Sequence, residues 1–248
     1  MSIFDKLRRL PSDDIIEFAC HKDFYGVIPE PVPAKRWIPD WFKQLGGKTT
    51  DNSKDGPGGL QSSTIKRCPP FLDAMNLGWI IPLAGDVEFV TNEDASGVDY
   101  KWRFPSTLVE NHNSNQIKGH PGLPKPPMKW INKWFVKVPP GYSVLFVPPL
   151  NRPNPHFECL SGFVDCDGYW EIVNFPFMFN TPNWEGIIEA GTPLVQVIPI
   201  KRDMIMKNSI TRPVTNEEWE KNDRTKLALQ VHESHYRDFV WDRKKGSK

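Results

Sequence analysis

The sequence is poor in several things, and each scarcity closes off a class of protein. Its 248 residues include four cysteines, Cys20, Cys68, Cys159 and Cys166, and no two form a CxxC pair. A disulfide framework is denser in cysteine, and a zinc site brings its ligands in closer pairs. The four are therefore read as reduced thiols of a cytoplasmic protein, mostly buried as small apolar residues. Charge of one sign is not in excess: 31 Lys+Arg stand against 30 Asp+Glu, a formal net charge of +1. That balance argues against general nucleic-acid binding. Long apolar runs are missing too. Proline or glycine breaks each one, so no membrane span is expected. The charged stretch Met1 to Leu10 has no apolar core of the signal-peptide kind. P-loop, GxGxxG, GxSxG and HExxH motifs are absent, and no internal repeat is visible. The basic clusters Lys6 to Arg9 and Arg243 to Lys245 read as solvated ends.

What is abundant is proline, with 25 residues, and tryptophan, with 10. The proline content is roughly twice the usual ~5%. A chain of helices cannot hold proline at this density, because each interior proline removes a hydrogen bond and costs about 3 kcal/mol. An aromatic content of 12% is equally foreign to a disordered chain. The expected class is mainly β, a single barrel or jelly roll with a Pro-rich N-terminal arm and C-terminal helices.

Three segments follow: an N-terminal strand and Pro/Trp-rich arm over 1–45, a β-barrel domain over 46–202 and a helical extension over 203–248. Ile15 to Cys20 reads as a short strand. Prolines 29, 31, 33 and 39 mark an extended arm lying on a surface, held by Trp37, Trp41 and Phe42. Residues 46–64 read as a loop. Cys68 to Gly78 opens on two prolines and closes on glycine, the pattern of a short helix. Strands are expected at 79–83, 87–91, 100–104, 130–138, 142–147, 157–164, 170–179, 186–188 and 194–200, with 105–127 irregular between them. Thr215-Asn216-Glu217-Glu218 has the form of a capping box. It predicts one broken helix or two, packed on the barrel through Trp219, Leu227, Leu229, Val231 and Phe239.

Chemistry is most legible between residues 139 and 201. Pro139-Pro140-Gly141-Tyr142 leads into a strand. Gly162-Phe163-Val164-Asp165 follows, with Asp167 and Tyr169 close behind, and Gly191 to Gln196 closes the stretch. This order resembles the second half of dUTPases and dCTP deaminases. The resemblance implies a β-clip barrel in which Asp165 is the base that activates water and Tyr169 supports the nucleotide. Asp167, Arg152 and Gln196 are the further ligand-binding candidates. Where that superfamily has Arg-Ser-Ser for phosphate, this chain has Pro149-Leu150-Asn151-Arg152, and its tail is helical rather than a glycine-rich arm. The plainer alternative makes Asp165, Asp167 and Gly168 turn residues between two strands.

A second resemblance covers residues 15–202. Arg67-Cys68-Pro69-Pro70-Phe71-Leu72, Gly78-Trp79, Pro139-Pro140-Gly141, Gly162 to Asp165, Phe175 to Asn180 and Glu189 to Leu194 together look like an uncharacterised family of bacteria and tailed phages, a domain of unknown function. It implies one β domain and no assigned activity, placed in the host cytoplasm or the virion if phage-encoded.

Histidines offer a third possibility. His156 and Glu158 form an H-x-E pair on one face of a strand, with His232 or His235 downstream, as in cupin-like oxygenases that use two histidines and a carboxylate. The other such pair, His21 and Asp23, falls before the arm. Cys68 and Cys166 have no activating context. The leading expectation is a non-enzymatic binding or structural accessory protein of phage type. It would act as an oligomeric β-barrel, with no cofactor and no bound metal, its partners further copies of itself or other protein subunits. A nucleotide-processing enzyme with Asp165 as base, and so a nucleotide partner, is the first alternative; a cupin-like metal enzyme is the second.

Overall fold

Apolar runs set off by glycine, proline and aspartate fold as short antiparallel strands. The computed structural model describes residues 15–49, 63–121, 126–232 and 234–242. Fourteen strands in four antiparallel sheets appear among them, so the protein is mainly β. The two terminal basic clusters and most of the 46–64 loop lie outside the described residues. Over these residues the chain forms two compact units. One draws on Met1–Trp37 and Leu77–Met204, the other on Ile38–Asn76 and Ile205–Lys248.

The first unit holds all the sheets. Its five-stranded sheet runs β11 (Gly162–Val164), β9 (Tyr142–Val147), β14 (Pro193–Lys201), β3 (Trp79–Pro82) and β2 (Val32–Pro33). The central strand β14 is buried without a break from Leu194 to Ile198, as expected of a strand covered on both faces. A four-stranded sheet follows the order β10 (Phe157–Cys159), β12 (Phe175–Phe179), β7 (Pro127–Trp130) and β6 (Val109–Asn111). A three-stranded sheet pairs β13 (Glu185–Ile188), β4 (Val87–Thr91) and β5 (Val98–Trp102), and β1 (Glu17–Ala19) pairs β8 (Phe135–Lys137). No ladder joins the four into one closed barrel among the described residues.

The core is aromatic. Trp130 is fully buried, stacked on Phe177 with centroids 4.4 Å apart and met edge-on by Phe157 at 5.2 Å and Phe89 at 5.8 Å. Burial of each such ring contributes about 1.5–3 kcal/mol, and edge-on pairing adds a smaller, directional part.

Only the first part of the expected proline arm, up to Pro33, is extended along this unit. The chain then enters a 3-10 turn at Ala34–Trp37 and a helix at Asp40–Gln44, so Pro39, Trp41 and Phe42 belong to the other unit rather than to an extended arm. Val32 and Pro33 pair with Ile80 and Trp79, the Ala34 amide donates to the Gly78 carbonyl at 2.9 Å, and the Trp134 indole N–H donates to the Pro29 carbonyl at 3.2 Å. Proline leaves few amides to satisfy, so an edge position suits it.

The second unit is helical. It comprises α1 (Asp40–Gln44), α2 (Pro69–Asn76), α3 (Asn216–Val231) and a single π turn over Tyr236–Val240. Phe42 stacks on Phe71 at 5.8 Å, and the Trp241 indole donates to Asp73 at 2.8 Å. The capping box forms as expected: Thr215 accepts from the Glu218 amide at 3.2 Å and Glu218 accepts from the Thr215 amide at 2.8 Å.

Five expectations need correction. The run 157–164 is two strands, β10 and β11, in different sheets, with Leu160-Ser161 between them. The run 130–138 is two strands, because Asn132 bends the chain: its side chain donates to the carbonyls of Trp134 at 2.7 Å and Val173 at 3.2 Å and accepts from the Trp134 amide. Within 170–179 only Phe175–Phe179 is strand. The stretch 105–127 contains β6 and a 3-10 turn at Ser114–Ile117. Finally, Trp219, Leu227, Leu229, Val231 and Phe239 do not pack inward. All are exposed, and α3 has no buried residue. Its apolar side chains are scattered around the axis rather than aligned in a stripe, so it has no single face to bury.

Candidate functional site

The Asp-Cys-Asp-Gly turn after β11 belongs to a compact ionic network. Asp165 accepts from the Ser143 hydroxyl at 2.5 Å, and its backbone carbonyl accepts from the amides of Gly168 and Tyr169. Asp167 accepts from the Gly141 amide at 2.8 Å and from Arg202 through both carboxylate oxygens, at 2.5 and 3.1 Å. Arg202 also donates to the Tyr142 carbonyl at 2.7 Å and reaches Asp165 at 3.4 Å. Three chain segments converge here: the turn before β9, the turn after β11 and the end of β14.

The two carboxylates have different surroundings. Asp165 has 70% of its side chain exposed, whereas Asp167 has 13%. The Arg202 guanidinium, helped by the Gly141 amide, holds Asp167 below the ordinary carboxylate value. Arg202 is in turn held further above its ordinary value, chiefly by its hydrogen bond to Asp167. A carboxylate committed to an arginine is a weak proton acceptor. Stability from Asp167 is complete above its ordinary pKa of 3.8 and is lost as the pH falls through the lower folded value. Asp167→Asn should therefore cost about 1 kcal/mol at neutral pH. It should also flatten the acid limb of a urea-unfolding series measured between neutral and acid pH; an unchanged acid limb would contradict this assignment.

Arg152 and Gln196 meet at a different place. Arg152 donates to the carbonyls of Ala34 at 3.0 Å and Trp37 at 3.1 Å, and to Gln196 Oε1 at 2.8 Å. Gln196 is fully buried. Its Oε1 also accepts from the Leu150 amide at 3.0 Å, and its Nε2 donates to the Leu77 carbonyl at 2.5 Å. Desolvation pulls the Arg152 guanidinium below its ordinary value, to about 10.

The two clusters stand apart. Ile200 of β14 pairs with Ser143, and Gln196 pairs with Val147. Four residues of strand separate those rungs, about 13 Å at 3.3 Å per residue. Tyr169 is half exposed beside the acidic turn. The five residues singled out in the sequence thus fall into two groups, Asp165, Asp167 and Tyr169 in one and Arg152 with Gln196 in the other.

The histidines divide as well. His156 stacks on Trp184 at 4.1 Å and bonds through Nδ1 to Thr181 Oγ1 at 3.1 Å. Thr181 spends its own proton on the Pro155 carbonyl, so His156 Nδ1 is the donor. Desolvation lowers the His156 pKa, which favours the neutral ring. Glu158, two residues on, is exposed. His232 and His235 lie in the helical unit, packed around Phe239 at 5.6 and 5.0 Å. Among the described residues no group of three His, Cys, Asp or Glu side chains is placed to hold a metal ion. All four cysteines are free. Cys159 and Cys166 are buried, and burial pushes the Cys166 thiol up to about 12, far from a reactive thiolate.

Two polar groups are not singled out by the sequence pattern. Arg202 reads as the end of a strand, and nothing local links it to a turn 35 residues earlier. Lys133 is buried within an apolar run and donates to Ser106 Oγ at 3.0 Å and the Thr107 carbonyl at 2.5 Å. Its burial lowers its pKa, partly offset by Glu110. A lysine interrupting an otherwise apolar stretch is the one signal that could have found it. No helix among the described residues is long and apolar enough to cross a membrane. No protein-family model matches the chain, and no curated protein matches it in sequence.

Proposed function

We propose that the protein is a non-catalytic binding or structural accessory protein of phage type, built on a barrel-like or jelly-roll arrangement of its sheets and working in an assembly of protein subunits. The observation that carries this reading is the separation of the two polar clusters together with their occupancy. Asp167 is bonded to Arg202 and Gly141, and Asp165 to Ser143. Arg152 is bonded to backbone carbonyls and to Gln196, roles that hold the arm and β14 in place. A base and a phosphate-binding arginine must converge on one substrate within hydrogen-bond reach, and these two groups sit at rungs about 13 Å apart along β14. The apolar side chains exposed along the C-terminal segment supply surface for partners.

A screen of the purified protein against the deoxynucleoside triphosphates, reading pyrophosphate and ammonia release, tests it. The expected result is no turnover above buffer, with Asp165→Asn indistinguishable from the parent chain. Turnover that disappears in Asp165→Asn would establish the nucleotide-processing alternative instead.

A further inference from the structure

Strand β5 is an open edge. It pairs with β4 on one side, and among the described residues no backbone group bonds its other side. At five residues it is the longest edge strand of the four sheets: β13 has four, β1, β6, β8, β10 and β11 have three each, and β2 has two. Neither proline nor a bulge protects it. Its register against β4 runs unbroken from Val98–Thr91 to Trp102–Val87. Val98, Tyr100 and Trp102 all favour extended backbone. A row of unpaired amides and carbonyls on such a strand is a template for another strand.

The order of the side chains says which strand fits. Val98, Tyr100 and Trp102 pack against the core, whereas Asp99 and Lys101 are exposed on the outer face. The Tyr100 hydroxyl donates to Asn111 at 3.1 Å, which holds its ring on the core side. Turned antiparallel about Tyr100, Val-Asp-Tyr-Lys-Trp is complementary to itself. Val98 falls opposite Trp102 of a second copy, Tyr100 opposite Tyr100, and Asp99 opposite Lys101, twice by symmetry. Opposed residues of an antiparallel pair share a face, with Cβ atoms about 4.5–5.5 Å apart, so both ion pairs form on the outer face. Within its own chain Lys101 Nζ meets Glu88 at 2.9 Å across the β4 rung. Asp99 faces Val90 instead and has no ion-pair partner among the described residues. Lys101 of the second copy supplies one. The other edges lack this match. Reversed about their middle residues, β6 opposes Glu110 to Glu110 and β10 opposes Glu158 to Glu158, and β13 opposes Glu185 to Ile188.

We infer that β5 is a self-association edge that pairs antiparallel, about a two-fold axis at Tyr100, with β5 of a second copy of this chain. The pairing joins two three-stranded sheets into one of six strands. The inference rests on the assembly reading above and names its partner.

Light scattering on the full chain after size exclusion, across a dilution series, tests it. The expected mass is twice that of the monomer. Asp99→Lys leaves two basic residues on the outer face of the strand and Lys101→Asp leaves two acidic ones, so each variant opposes like charges in its own pair. Each alone should be monomeric at concentrations where the parent chain is dimeric. An equimolar mixture should recover the dimer, which also shows that both variants fold. In the parent chain, amide exchange over residues 98–102 should slow about tenfold or more from dilute to concentrated samples, while exchange in β13 stays the same. A parent chain that is monomeric throughout, a dimer that survives both reversals, a mixture that stays monomeric, or exchange over 98–102 independent of concentration would each overturn the inference. Absence of nucleotide turnover alongside any of these would leave the non-catalytic reading standing, with other protein subunits as its partners.

Discussion

Gly78→Ala should destabilise the protein by about 3 kcal/mol or more, a large fraction of the folding free energy of an ordinary domain. Two separate costs add at this position. The backbone of Gly78 has φ of +69°, the left-handed region, where a Cβ costs about 1–2 kcal/mol. That Cβ would also overlap the Val197 carbonyl oxygen, a backbone atom that cannot rotate away. Val197 is the residue of β14 that pairs with Trp79. Relief of the overlap must therefore push β3 away from β14, and Gly78 also carries the carbonyl that receives the Ala34 amide. The measurement is the midpoint and slope of urea unfolding followed by tryptophan fluorescence. Gly26→Ala is the control. Gly26 has φ of +72°, and a Cβ at that position would meet nothing within 4 Å, so the substitution should carry the backbone cost alone. Equal losses at the two glycines would show that the approach to Val197 is not tight.

Much of the β architecture was legible because proline and glycine punctuate it. The turns at Pro139-Pro140-Gly141, Asp165 to Gly168 and Gly191-Thr192 fall where the composition places them, and the strands between them follow. One failure comes from a side chain acting on distant backbone. Asn132 splits one apolar run into two strands through bonds to Trp134 and Val173, and no periodicity within the run can signal a partner 41 residues away. The tail failed for a different reason. Trp219, Leu227, Leu229 and Val231 are apolar enough to predict burial, but composition does not specify that they share a face, and on α3 they do not. The candidate site was legible as residue types and illegible as geometry. Asp165, Asp167, Arg152 and Gln196 all prove to be hydrogen-bonded and polar, while their grouping into two clusters follows from the β9–β14 register, which sequence does not fix.

Arg152→Ala should be the second costly change, about 3 kcal/mol, through loss of hydrogen bonding rather than of charge. The guanidinium reaches in two directions at once. One nitrogen donates to the carbonyls of Ala34 and Trp37, at the 3-10 turn that ends the proline arm, and the other donates to Gln196 in the centre of the five-stranded sheet. A hydrogen bond from a charged donor contributes about 1.5–3 kcal/mol, and an acceptor left without its donor in the interior costs about 1–3 kcal/mol. Against this stands the desolvation that already depresses the guanidinium pKa, so removing the charge recovers part of the loss. Lysine at this position should rescue little. Its ammonium is a point donor on a flexible stem and cannot span the fork between arm and sheet. Arg152→Lys should therefore unfold at a urea midpoint close to that of Arg152→Ala. Amide exchange at Ala34, whose N–H bonds the Gly78 carbonyl, should accelerate in both variants as the arm loosens. A phosphate-binding arginine would behave differently: its replacement would leave stability and the Ala34 amide unchanged and alter only ligand affinity. The two measurements together therefore decide whether Arg152 is a tie between arm and sheet or a ligand-binding group.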